Sequence, residues 1–175
     1  MRPLPQLLHE PLPVEVILPT HAPILESRFI AWPDEAACAA FAARLARHDE
    51  LRDAYLELHG PLGAGKTTFV RHLLRALGVT GQIKSPTYAL VEPYSLPGLA
   101  ISHFDFYRFE DAREWEDAGL REVFADRGLK LVEWPENAAA LLPLADLRLV
   151  ITPRDEHLRQ VELLAFTARG AALLQ

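Results

Sequence analysis

The chain has 175 residues, 50% of them apolar and 24% charged, which suits one globular domain with a sizeable core and is short for two. Lys+Arg 18 against Asp+Glu 24 leaves a net charge of −6, a balance unsuited to holding nucleic acid directly, since phosphate contacts supply most of that affinity. The single cysteine, Cys38, excludes an intramolecular disulfide and a cysteine metal cluster, and no apolar run reaches the roughly 18 residues of a membrane span.

Residues 1–24 carry six prolines (Pro3, Pro5, Pro11, Pro13, Pro19 and Pro23), so helix is excluded there and an extended or disordered tail is expected. The same prolines, with His9 and Glu10, interrupt any apolar run that could serve as a secretory signal, and a cytoplasmic protein without membrane association is expected. Residues 25–175 are read as a single domain.

Arg28 to Trp32 is a short strand candidate, and Pro33-Asp34 then opens a helix running to about His48, with Cys38, Phe41, Ala42 and Leu45 on one apolar face. Ala54 to His59 reads as a strand ending at Gly60. Thr67 to Leu77 reads as a helix stopped by Gly78. Further strands are expected near 86–92, 100–106, 129–133, 147–152 and 158–166, with a helical segment over 111–126. Alternating strand and helix predict an α/β fold, P-loop NTPase-like, with a mostly parallel central sheet flanked by helices. The short Pro153–His157 link makes the last two strands an antiparallel hairpin.

Gly60-Pro61-Leu62-Gly63-Ala64-Gly65-Lys66-Thr67 fits G-x-x-x-x-G-K-[ST] in full, between a strand and a helix. Gly63 and Gly65 let the backbone turn its N–H groups inward around a phosphate, and the following helix points its positive end there. Lys66 adds a full charge for the β- and γ-phosphates, and the Thr67 hydroxyl suits Mg²⁺. The cradle expected for ATP comprises Gly60, Leu62, Gly63, Ala64, Gly65, Lys66, Thr67 and Thr68.

Hydrolysis also needs a carboxylate for the metal and a group to position water, both at C-terminal strand ends beside the loop. Asp105 and Glu133 each end a strand candidate. Asp105 reads as metal ligand or turn cap, and Glu133 as catalytic carboxylate or surface acid before Pro135. His103, inside the strand pattern, reads as a satisfied core or surface histidine. The chain lacks N-K-x-D and D-x-x-G, which argues against a GTPase, and lacks an arginine-rich lid after an N-terminal glycine loop, which argues against a small-molecule kinase.

Gly63-Ala64-Gly65-Lys66-Thr67-Thr68-Phe69, Lys84-Ser85-Pro86-Thr87-Tyr88, His103-Phe104-Asp105-Phe106-Tyr107-Arg108 and Leu131-Val132-Glu133-Trp134-Pro135 together resemble the TsaE (YjeE) family. That family is the ATPase component of bacterial tRNA threonylcarbamoyladenosine synthesis. The four blocks stand in family order over roughly residues 27–166. The resemblance implies ATP and Mg²⁺ as cofactors, Lys66 on the phosphates, and Thr67, Asp105 and Glu133 at the metal. Ser85 and Thr87 would lie in a switch-like loop near the γ-phosphate, and Trp134 beside the nucleotide. It also implies TsaD and TsaB as partners, with tRNA reached mainly through their complex.

Three positions depart from the family pattern. Cys38 and Ala42 stand where the family usually has threonine and glycine, leaving the adenine contact open, and Pro61 stands at a position commonly acidic. A nucleotide-gated binding module and a small-molecule kinase are the competing readings.

Overall fold

The computed structural model describes residues 22–175; most of the proline-rich head expected over 1–24 lies outside the described residues. Seven strands among these residues form one sheet in the order β1-β7-β6-β2-β5-β4-β3. They are β1 (Glu26–Trp32), β2 (Tyr55–His59), β3 (Val91–Leu96), β4 (Leu99–Asp105), β5 (Leu129–Glu133), β6 (Leu147–Pro153) and β7 (Arg159–Ala165). The middle of the sheet, β6-β2-β5-β4, is parallel. Antiparallel strands flank it on both sides: β7 and then β1 beyond β6, and β3 beyond β4. The expected C-terminal hairpin is present, and the sheet is more mixed at its edges than the sequence implied.

Helices α1 (Glu35–Leu45) and α2 (Lys66–Leu77) pack on one face. Asp34 starts α1 by accepting a 2.8 Å hydrogen bond from the Ala37 amide, an ordinary N-cap. The helix buries Cys38, Phe41, Ala42 and Leu45, the face expected from their spacing. It ends at Ala46, before His48, because a 3₁₀ turn over Asp49–Asp53 takes the chain down to β2. Trp32, Phe41 and Phe69 meet with ring centroids 5.7–6.0 Å apart and join β1, α1 and α2. Burying each such ring contributes about 1.5–3 kcal/mol. The opposite face is covered by α3 (Ala112–Asp117) and α4 (Leu120–Ala125), with Phe104, Phe106, Trp115 and Leu120 in its core.

Two sequence expectations are corrected, and one element is new. Residues 87–90 form a turn where a strand over 86–92 was expected. Leu90 sits at φ 63°, the Leu90 amide donates to the Pro86 carbonyl at 2.8 Å, and strand structure begins only at Val91. β-propensity yields here to contacts that hold this loop over the sheet edge. β3 then returns through Pro97-Gly98 to β4 as a hairpin, a turn signal legible in the sequence. The helix expected over 111–126 is two short helices, broken at Gly119 with φ 62°. A short C-terminal helix, α5 (Ala168–Ala172), was not foreseen; Thr167 caps it.

Asp146 fastens the end of the sheet remote from the glycine loop. Its carboxylate accepts from the Tyr55 amide at 2.8 Å, the Thr167 hydroxyl at 2.5 Å and Arg169 at 3.4 Å. Asp146→Ala strands those donors at a buried position and is expected to cost about 2–4 kcal/mol. The denaturation midpoint should fall accordingly while nucleotide affinity of the folded protein stays unchanged; an unshifted midpoint refutes this role.

Candidate nucleotide site

The glycine loop connects β2 to α2 at the C-terminal edge of the parallel strands. Gly60 has φ 142°, and a Cβ there would stand 2.4 Å from the Ile151 carbonyl oxygen, so β6 leaves room for glycine alone. Gly65, at φ 107°, is the N-cap of α2 without a side-chain bond, so the first amides of α2 have no capping partner.

Strand register sets the two acids side by side: Glu133 pairs with Asp105 on β4 and with Leu58 on β2. Both are buried although charged, and both sit beside the loop, as expected from their strand-end positions. Glu133 Oε2 accepts from Thr67 Oγ1 at 2.9 Å, and Oε1 lies 2.8 Å from His103 Nε2. Asp105 Oδ2 accepts from Ser85 Oγ and, at 3.0 Å, from Thr87 Oγ1, while Oδ1 accepts from the Tyr107 amide at 2.8 Å. Asp105 therefore anchors the 85–87 loop to the sheet edge.

Lys66 is folded back onto the loop. Its ammonium donates to the Gly60 carbonyl at 2.6 Å and the Pro61 carbonyl at 3.0 Å, and lies 3.8 Å from the centroid of the Trp134 ring. Burial lowers the Lys66 pKa, opposed by the negative fields of Glu133, Glu136 and Asp105. Trp134 adopts φ 56°, ψ 46°, a left-handed conformation uncommon for a bulky residue. Asn137 braces the adjoining chain by donating to the Phe106 carbonyl at 2.9 Å, and Tyr107 lies 4.9 Å from the Trp134 ring.

Two cavities adjoin the loop and share Gly63, Ala64, Gly65 and Thr68. One, of about 290 Å³, is lined by Leu62 to Thr68 with Ser85, Thr87, Asp105, Glu133 and Trp134. It gathers every expected site residue except Gly60, whose contribution is its backbone. The open loop amides, the Lys66 ammonium and the Thr67 hydroxyl beside two carboxylates fit a polyphosphate with a magnesium ion. No group of three or more His, Cys, Asp or Glu able to hold a metal occurs among the described residues. Magnesium, which keeps several waters and takes few protein ligands, does not require one.

The second cavity, of about 210 Å³, is lined by Trp32, Asp34, Glu35, Cys38, Glu156, His157 and Arg159 on the far side of the loop. Cys38, read both as a core residue of α1 and as the counterpart of the family's threonine, lies on its wall. Arg159 is a site residue that sequence reasoning missed: its Nε donates to the Ala64 carbonyl at 3.0 Å, strapping the loop from β7. A hairpin residue 95 positions away leaves no local signal.

Burial, then the neighbouring Glu35 charge, push the Cys38 thiol from 9.0 up to about 12. That leaves roughly a thousandfold less thiolate at neutral pH. Cys38 is expected to resist iodoacetamide in the folded protein and to react promptly in urea. Equal labelling rates in the two states refute the burial of this thiol.

The model of the family "Threonylcarbamoyl adenosine biosynthesis protein TsaE" matches residues 32–161. The tRNA threonylcarbamoyladenosine biosynthesis protein TsaE of Haemophilus influenzae is 40% identical over 147 residues, covering 81% of this chain and 92% of that protein. Its Bacillus subtilis counterpart is 41% identical over 115 residues, covering 66% and 70%. Among solved structures, Bacillus subtilis YdiB superposes with a TM-score of 0.70 at 27% identity, over 85% of this chain and 92% of that one.

Proposed function

Because this chain belongs to the TsaE family of threonylcarbamoyl adenosine biosynthesis proteins, we propose that it is the ATP-binding and ATP-hydrolysing subunit for threonylcarbamoyladenosine modification of tRNA. The observation that carries this reading is the convergence of Lys66, Thr67, Asp105 and Glu133 on one cavity beside the open amides of the loop. Gly63 to Thr68 hold the phosphates, Lys66 leaving the Gly60 and Pro61 carbonyls to meet the β- and γ-oxygens. Bound Mg²⁺ supplies charge neutralisation on those phosphates. Thr67 would be its direct ligand, and Asp105 would act at the metal or its water shell while holding Ser85 and Thr87 beside it. Glu133, freed from Thr67, orients the attacking water. Trp134 lies beside the nucleotide. The second cavity is sized for the base, with Cys38 on its wall in place of the family's threonine.

Site assembly is completed in a complex with TsaD and TsaB, and tRNA is reached mainly through these partners, in keeping with the net charge of −6. No helix among the described residues is long and apolar enough to cross a membrane; with tRNA as the modified molecule, the working location is the cytoplasm.

The test combines calorimetric ATP–Mg²⁺ binding, ATP hydrolysis with and without TsaD and TsaB, and mass-spectrometric detection of the modified nucleoside in tRNA. Absence of ATP binding, or modification without this chain, overturns the reading. One observation favours nucleotide-gated docking as a second reading: Lys66 and Thr67 are both satisfied inside the protein, by loop carbonyls and by Glu133. ATP must open both contacts, so binding alone changes the surface around Trp134.

A further inference from the structure

His103 occupies β4 between Ile101 and Asp105, on the face that carries Leu99 and Ile101 into the core beneath α1 and α2. It is wholly buried, so the choice between surface and core histidine resolves to core, but the ring is not satisfied. Its Nε2 lies 2.8 Å from Glu133 Oε1, and Nδ1 has no partner. A carboxylate only accepts, so the Nε2–H donates this bond. Leucine or phenylalanine would fill the same strand position without an orphaned nitrogen. The ring's gain is the single bond to Glu133.

That bond has a geometric consequence. The Glu133 carboxylate is held at Oε2 by Thr67 and at Oε1 by His103. When the Thr67 hydroxyl turns toward a metal, the Oε2 restraint is released. A carboxylate held by nothing else could then rotate about its last torsion, which is soft. We propose that His103 is the positioning residue for Glu133, its Nε2–H holding Oε1 so that Oε2 stays aimed past Thr67 at the water to be oriented. This rests on the ATPase reading above. Outer partners that orient a functional carboxylate or ligand commonly matter by about 10–100-fold when removed.

The test uses the full chain with His103→Gln, His103→Asn and His103→Leu. The Gln amide reaches the position of Nε2 and the Asn amide that of Nδ1, so the first can replace the bond to Glu133 and the second cannot. Single-turnover ATP hydrolysis is expected to fall about 10–100-fold in the Asn and Leu variants and to recover most of the way in Gln, with ATP affinity within about threefold throughout. Should the Leu variant fail to fold, the Gln–Asn contrast carries the test. Nitrogen-15 imidazole spectra of the nucleotide-free protein should show Nε2 bearing a hydrogen, with its signal altered in Glu133→Ala. Asn as active as Gln, all variants near the wild-type rate, affinity lost in step with rate, or an Nε2 signal unchanged in Glu133→Ala overturns the proposal alone. A wild-type chain that hydrolyses no ATP, alone or with its partners, overturns the ATPase reading and this proposal with it.

Discussion

Lys66→Ala is expected to abolish tRNA modification and to weaken ATP binding by about 2–4 kcal/mol, a loss of roughly 30- to 1,000-fold in affinity. The ammonium is the sole full positive charge in the cavity formed by the loop, Ser85, Thr87, Asp105 and Glu133. The size of the loss is tempered in the free protein, because the ammonium already has two loop carbonyls and the Trp134 face as partners. Bound ATP would exchange those contacts for phosphate oxygens, and only the difference would appear in affinity. Burial depresses the Lys66 pKa in the free protein, and phosphate oxygens favour the charged form, so at alkaline pH binding should take up a proton. Calorimetry in buffers of different ionisation enthalpy measures affinity and proton uptake together. Unchanged affinity in the alanine variant would remove Lys66 from the phosphate site.

Glu133→Gln should slow ATP hydrolysis by about 10²–10⁴-fold while leaving ATP bound within a few-fold of the wild type. Glutamine keeps the volume and one acceptor for Thr67 but removes the negative charge that, in the ATPase reading, orients and activates water. Its amide also meets the Nε2–H of His103 as a donor if the wrong way round, so the ring or the amide must turn. Glu133→Ala opens a space at a position only 2% exposed, so thermal unfolding is recorded for both variants. Modification assayed in the reconstituted complex then separates the two functional readings. Loss of modification with ATP still bound makes hydrolysis the working step. Modification that persists with ATP uncleaved makes this chain a nucleotide-gated docking subunit.

Much of this site was legible because its parts are local in sequence or repeat along a strand. The glycine loop is one contiguous string, and its strand and helix show their periodicities directly. Asp105 and Glu133 were reachable because both end apolar strands, and parallel register then makes them neighbours. The misread segments have a common cause. Residues 87–90 have the composition of a strand, but the hydroxyls of Ser85 and Thr87 bond to Asp105 and hold the segment as a turn at the sheet edge. Gly119 bends the 111–126 segment because a second short helix must cover Phe104 and Phe106.

The sequence by itself determined the α/β class, the loop with Lys66 and Thr67, and the pair of carboxylates, since each depends on a short-range pattern. Tertiary structure alone decided which side chains complete the site. His103 becomes a support for Glu133 only through the pairing of β4 with β5, and Arg159 reaches Ala64 only through the fold of the last hairpin. Cys38 faces a cavity as well as a core because α1 lies against the loop. These contacts join positions 30 to 95 residues apart. Side-chain spacing along one element carries information about its own faces, and which faces meet is settled only when the whole sheet closes.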